Sequence, residues 1–417
     1  MGGLHPLRGT DLAGAARGTA LGSGLHRLRQ SEASSLRSLS FAVGPVTIGV
    51  EEEYQLLDAV TGELRPDNMA VLRRAEPAMG DTVHPELLQS QVEVSTGVCE
   101  SLDEVEAELL RLRRTLNAAA ASKGCRLGAA GTHPTARWQA QQVTPKERYE
   151  DLIEGFQQVA RETLIFGCHV HIGVADPDER IRVMNRVRTC LPGLLALSAN
   201  SPFWGGRETG YASYRTALFR RWPMTGVPLR FQDDREYRSL VASLVQAGMI
   251  DDATKIYWDI RPSERFPTLE FRVADVCLTV DEAVTIAGLA AGAVASAAVA
   301  ARAAEAAGGP DADPGRHVDP RPELLEAAVW HAARYGLGAD LIDLNEGRPA
   351  PAPATIGRIV DGLRDALEDL GMWDRVRDGV KAIVARGNGA DRQRRAFEQG
   401  GFPRVLELIA AETASAR

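Results

Sequence analysis

The chain has 417 residues, 44% of them hydrophobic and 25% charged, which is ordinary globular composition with enough length for a large core. A formal charge of −8 and a pI near 5.6 argue against a protein that grips nucleic acid through a broad basic field, so an anionic ligand would need local cations. Five scattered cysteines (Cys99, Cys125, Cys168, Cys190, Cys277) show neither CxxC spacing nor a regular framework, and they read as reduced thiols of a cytoplasmic protein.

Residues 1–44 are rich in Gly, Ala, Ser, Leu and Arg and lack a charged-then-apolar-then-small signal layout, so they read as a disordered extension. Regular patterning follows, and it predicts one catalytic domain over 45–411 whose last part, from about 280, is helical.

The first predicted strand, 47–58, puts Ile48, Val50, Tyr54 and Leu56 on one face and Thr47, Gly49, Glu51, Glu53 and Gln55 on the other, with Glu52 as the misfit. Three adjacent glutamates are unfavourable in an otherwise strong strand and call for a cation or solvent nearby. In the second strand, 88–96, Gln89, Gln91, Glu93 and Ser95 oppose Val92 and Val94. Glu86 is out of phase with that face unless it precedes the strand or lies beyond a bulge.

A helix over 101–122 follows, with Ser101 and Glu104 resembling a capping box, then a short strand at 126–131 and a helix over 144–164. The strand at 166–174 sets Cys168, Val170, Ile172 and Val174 against His169 and His171, whose face-mates are the small Gly167 and Gly173. Helices at 179–199 and 237–247 and a strand at 257–261 lead to 268–274, where Thr268, Glu270 and Arg272 oppose Leu269, Phe271 and Val273. Further helices are predicted at 280–306, 322–335, 355–370 and 391–399, separated by Pro- and Gly-rich loops at 308–322 and 347–354. The apolar stretch 283–304 is mostly Ala and Gly and reads as a core helix rather than a membrane span. The mixture points to an α+β fold, a sheet with helices packed against it.

Taken singly, each polar face has a plainer explanation: a solvated sheet face, an exposed loop glutamate, two structural histidines, or a surface ion pair of about 0–1 kcal/mol. Together they offer Glu51, Glu53, Glu93, His169, His171 and Glu270 and no lysine. Carboxylate oxygens with an imidazole suit several Mg²⁺ or Mn²⁺ ions, and the polyphosphate of a nucleotide would complete their shells. No Walker A loop and no GxGxxG is present, so phosphate neutralisation falls to metal ions and arginines. In the stretch 205–222, Tyr211, Ser213 and Arg215 are candidate substrate contacts, because guanidinium groups suit carboxylates; a loop of solvated arginines is the alternative. Asp259 and Arg261 are similar candidates.

Gly49-Val-Glu-Glu-Glu-Tyr, Gly167-Cys-His-Val-His-Ile-Gly-Val, Leu197-Ser-Ala-Asn-Ser-Pro-Phe-Trp, Trp258-Asp-Ile-Arg-Pro-Ser and Leu269-Glu-Phe-Arg resemble, in order, the YbdK-type carboxylate–amine ligases of the glutamate–cysteine ligase type 2 family. The resemblance implies a glutamine synthetase-like catalytic fold, an antiparallel sheet curved into a funnel with helices outside. It implies that ATP phosphorylates a small, glutamate-like carboxylic acid and that an amine then displaces phosphate. It further implies Glu51, Glu53, Glu93, His169 and Glu270 as metal ligands, Glu86 as a more distant acidic ligand, and Arg272, with Glu53, as catalytic. Val143-Thr-Pro-Lys-Glu-Arg-Tyr resembles the family's stretch before the HxH strand, with Arg148 and Tyr149 as positioning candidates or merely a helix start. A homodimer is implied as well. A catalytically idle nucleotide-binding homologue and a metal-dependent hydrolase built on His169 and His171 are the competing readings.

Overall fold

Strand β1, Ile48–Asp58, carries the three glutamates and organises the sheet of this computed structural model, which describes residues 46–306, 319–344 and 346–415. The 1–44 extension and most of the 308–322 loop lie outside the described residues. Six further strands join β1: β2 (Val83–Pro85), β3 (Gln91–Ser95), β4 (Cys125–Gly128), β5 (Gly167–Gly173), β6 (Ile260–Pro262) and β7 (Thr268–Asp275). Their order is β6-β7-β5-β1-β3-β2, with β4 beside the far end of β1, and every pairing is antiparallel. At 11 residues β1 is long enough to pair with three partners, β5 along Ile48–Glu52, β3 along Glu51–Gln55 and β4 along Gln55–Asp58.

The apolar face of this sheet meets two helices, α1 (Leu102–Ala121) and α2 (Val280–Ala306), in one buried cluster that includes Ile48, Val50, Val170, Ile172, Leu269 and Phe271. Ser101 caps α1 by accepting from the Glu104 N–H at 3.2 Å, while the Glu104 carboxylate takes the Glu100 N–H at 2.8 Å. By length and composition α2 could cross a bilayer, yet 78% of its most apolar window is buried inside the protein, as its reading as a core helix requires. Its small residues permit that burial: a Cβ at Gly288 would lie 2.4 Å from Val376 Cγ2 and 2.9 Å from Leu102 Cδ1.

Several elements differ from the sequence expectation. The helix expected over 144–164 breaks at Gln157, φ 47°, into Glu147–Phe156 and Gln158–Arg161, which turns the chain to bury Leu164 and Phe166 ahead of β5. The one expected over 179–199 becomes Pro177–Val187, a 3₁₀ turn and Leu191–Ser198, where Pro192 supplies no N–H to continue the first helix. The presumed loop at 347–354 contains an edge strand, Arg348–Pro351, paired with Asp340–Asp343; its prolines are tolerated there because an edge strand leaves one side of its ladder unpaired. Helices Asn68–Met79 and Trp373–Arg386 were not foreseen.

Candidate active site

The register of the sheet decides which polar side chains meet. Glu53 on β1 faces Glu93 on β3, Glu51 faces His169 on β5, His171 faces Glu270 on β7, and Glu270 faces Arg261 on β6. Like charges directly opposite one another destabilise a sheet, so the Glu53–Glu93 pair marks a face that expects a cation. Glu86 joins them from the turn just after β2, which removes the phase problem, and its Oε2 accepts the Leu87 N–H at 2.8 Å.

These residues line a cleft of about 250 Å³ that holds six glutamates (Glu51, Glu53, Glu86, Glu93, Glu264, Glu270) and five arginines (Arg148, Arg215, Arg261, Arg265, Arg272). Within it are two groups whose ligand atoms lie within 4.8 Å of one another: Glu53, Glu86 and Glu93, and Glu51, His171 and Glu270. The first is all carboxylate oxygen and suits a hard divalent cation; the second adds one imidazole. His169 is not part of either group. Its Nδ1 lies 3.1 Å from Glu51 Oε2, while burial and the Arg272 charge push its pKa down, so a neutral ring donating from Nδ1 orients that carboxylate. His171 Nδ1 meets Thr268 Oγ1 at 3.0 Å; its buried Nε2, 3.5 Å from Glu51 Oε1, makes no hydrogen bond among the described residues and remains available as a ligand atom.

The carboxyls divide electrostatically. Burial and the neighbouring Glu53 push Glu86 up to about 7, and burial with Glu51, Glu86 and Glu53 pushes Glu93 well above the usual range. Burial would also raise Glu51 and Glu270, but the two histidines beside it hold Glu51 well below its ordinary value, and Arg272 and Arg261 do the same for Glu270. Arg261 grips Glu270 in a fork, Nε to Oε2 at 2.8 Å and Nη2 to Oε1 at 3.2 Å, and Arg272 Nη1 also donates to Oε1. Arg272 Nε is buried without a hydrogen-bond partner among the described residues. A cluster that raises the pKa of two carboxyls together and leaves a ring nitrogen and a guanidinium nitrogen unsatisfied fits divalent cations and an anionic ligand.

Arg148 and Tyr149 line the facing wall, Tyr149 through a hydroxyl donated to Pro85 O at 2.7 Å, and Arg215 enters from helix Tyr214–Phe219. Tyr211 and Ser213 do not line this cleft. Ser213 is fully buried and caps that helix, and the Tyr211 hydroxyl accepts from Trp330 Nε1 at 3.3 Å. Asp259 is held aside by Arg220 at 2.6 Å. Glu52 points to the other face, where Arg113 Nη2 meets it at 2.5 Å.

An apolar portion of the cleft was reached in the sequence only at Trp222, the end of the 205–222 stretch, and went unread at Leu152, Ile165, Phe219 and Tyr257. Trp222 Nε1 donates to Thr163 Oγ1 at 2.7 Å, and the Trp222 and Tyr257 rings meet edge-on with centroids 5.4 Å apart, so these aromatics are locked in place. Part of the signal lay in the spacing of Arg215 and Phe219, since i and i+4 share one face of helix Tyr214–Phe219, whereas Trp222 lies three residues beyond its end.

The family model described as glutamate-cysteine ligase family 2 matches residues 47–407. A relative from Solibacter usitatus, named "Putative glutamate--cysteine ligase 2", is 39% identical over 379 residues, covering 90% of this chain and 96% of its own length. A relative of the same name from Herpetosiphon aurantiacus is 40% identical, covering 88% and 93%. Among solved structures, glutamate–cysteine ligase of Francisella tularensis in complex with AMP superposes with TM-score 0.66 at 12% identity over 89% of both chains. A bifunctional glutathione synthetase from Pasteurella multocida gives TM-score 0.64 at 15% identity, covering 94% of this chain and 54% of that one. At these identities the structural matches speak for the α+β fold alone.

Proposed function

The chain belongs to the glutamate–cysteine ligase family 2, and we propose that its cleft joins a glutamate-like carboxylic acid to a small-molecule amine through an acyl phosphate. It is an ATP-dependent carboxylate–amine ligase, and divalent metal and ATP are its working ligands. The observation that supports the residue-level reading is the strand register, which, with the turn that brings in Glu86, gathers two groups of three candidate ligand residues beside Arg272.

Mg²⁺ or Mn²⁺ held by Glu53, Glu86 and Glu93 and by Glu51, His171 and Glu270, with His169 orienting Glu51, would neutralise the polyphosphate. Glu53 is fixed for that task because its Oε2 accepts the Gly167 N–H at 2.6 Å. Arg272, steered by Glu270, offers its guanidinium to the transferred phosphate, where charge develops. Arg215 and Arg148 hold the carboxylates of the acid. The acid's own carboxylate oxygen forms the bond to phosphorus as ADP leaves, and the amine nitrogen then forms the bond to carbon as phosphate leaves. No enzymic nucleophile is needed, which accounts for a site built of cations and carboxylates. We place the catalytic domain at 45–411 and the enzyme in the cytoplasm as a homodimer, a setting supported by five free cysteines and by the family resemblance.

The test is amine-dependent release of ADP and phosphate from ATP, Mg²⁺ and a panel of carboxylic acids including glutamate. Tight ATP binding without turnover would point to an idle homologue, and metal-dependent activity without nucleotide to a hydrolase; the family match favours neither.

A further inference from the structure

Asp275, at the end of β7 beyond the irregularity between Phe271 and Ala274, carries a fully buried carboxylate outside the cleft. Its Oδ2 accepts from the Asn200 N–H at 2.8 Å and from Ser201 Oγ at 2.7 Å, and its Oδ1 accepts from Ser213 Oγ at 2.7 Å. Arg215 Nη1 stands 4.0 Å from Oδ1, and the Arg215 backbone N–H donates to Ser201 Oγ at 3.0 Å. The same guanidinium rests on the β7 backbone, with Nη2 to Arg272 O at 3.2 Å and Nη1 to Val273 O at 3.5 Å, and its buried Nε has no partner among the described residues.

Two glycines clear the space this arrangement occupies. A Cβ at Gly131 would lie 2.7 Å from the Asp275 carboxylate, and a Cβ at Gly167 would lie 2.5 Å from Arg215 Nη2. Gly167 is also the residue whose N–H holds Glu53, so the guanidinium is docked beside a carboxylate of the metal face. Arg272 is committed to Glu270, whereas Arg215 stands 4.0 Å from Asp275 and makes no closer ion pair among the described residues. Arg215 is thus a cation kept in place by backbone carbonyls and a buried counter-charge, with its Nε unused.

We infer that Asp275 is a positioning residue: with Ser201 and Ser213 as its struts, it aims Arg215 into the cleft to bind the carboxylate of the acid substrate. Ser213, which the sequence suggested as a substrate contact, acts on substrate only through Asp275. The inference rests on the ligase reading for its consequence, and on geometry alone for its cause.

The experiment compares wild type with Asp275→Asn, Arg215→Ala and the double variant. In the crystal structure of Asp275→Asn the Arg215 guanidinium should leave the Arg272 carbonyl. With glutamate as acid, the KM for glutamate should rise about tenfold or more, as expected on losing a charge-assisted contact, while the KM for MgATP changes little. The double variant should be no worse than Arg215→Ala, because one residue acts through the other. Losses that multiply in the double variant, or a guanidinium that stays in place with native KM, overturn the inference. If Asp275→Asn does not fold, Ser213→Ala removes one hydrogen bond to the same carboxylate and is judged by the same readouts. If wild type gives no acid-dependent ADP release, the ligase reading fails, and the position of Arg215 in the crystal still decides the role of Asp275.

Discussion

At Glu86 the fold and the charge of the cleft act against each other. The turn after β2 brings its carboxyl against Glu53 and Glu93, and burial with the Glu53 charge lifts its pKa to about 7. A carboxyl whose folded pKa exceeds its unfolded one binds its proton more tightly when folded. The stability linked to Glu86 is therefore complete below the ordinary carboxylate pKa and is lost as pH rises through about 7. Glutamine has no such loss. Metal-free Glu86→Gln should melt above metal-free wild type, by a margin that widens from about pH 5 to about pH 8, and should gain less from added Mg²⁺. Thermal melts of both proteins in chelator and in Mg²⁺ measure this, and a margin independent of pH would refute it. The residues of this site were legible to different depths. Glu51, Glu53, Glu93 and Glu270 followed from the two-residue period of a strand. Which of His169 and His171 stands with Glu270 follows from cross-strand register, which no single strand's pattern contains. From the strand pattern Glu86 could be read only as out of phase, because its position depends on a turn, and the family resemblance supplied its place as a distant acidic ligand.

Between elements, the telling contact is the one that explains Glu52. It sits on the apolar face of β1, fully buried, and its cation comes from α1: Arg113 donates through Nε at 3.0 Å and Nη2 at 2.5 Å, while Arg113 Nη1 reaches Leu278 O at 2.8 Å and Nη2 reaches Cys277 O at 3.0 Å. Tyr54 adds its hydroxyl to the same carboxylate. One side chain thereby ties β1 to α1 and to the segment leading into α2. Replacing one partner of a buried pair strands the other, so Arg113→Ala should destabilise the fold by about 3–5 kcal/mol. Glu52→Gln with Arg113→Met should recover much of that loss, because no uncompensated charge remains. Urea unfolding of the single and double variants measures both; a loss below about 1 kcal/mol for Arg113→Ala would show that the contact is not structural. The sequence marked Glu52 as a misfit but could not pair it, since its partner lies on another element. Helix positions were easier to read where apolar spacing was strong, as in α1. They were harder where a single backbone feature intervened, such as Pro192 or the left-handed Gln157.

Among the described residues, every one lining the cleft lies between Glu51 and Arg272, so the helices from Val280 onward support the chemistry without touching it. The lining is drawn from all parts of that span, so a ligand of the cleft binds only the folded chain and must raise its stability. A ligand present at about a hundred times its Kd adds about 2.7 kcal/mol. Charge decides which ligand can do so. Against a face holding the carboxylates Glu51, Glu53, Glu86, Glu93 and Glu270, a bare polyphosphate meets repulsion that the arginines, two of them already committed to Glu270, offset only in part. Metal held by the two groups would reverse the sign of that face, and by thermodynamic reciprocity nucleotide would then tighten the metal. In thermal melts, ATP with chelator should shift the midpoint little and Mg²⁺ alone modestly, while the two together should exceed the sum of the separate shifts. The excess should shrink in Glu93→Gln, which weakens the metal group without touching an arginine. Equal stabilisation by ATP with and without divalent metal would mean that the arginines alone bind the polyphosphate, and the carboxylates of the sheet would need another role.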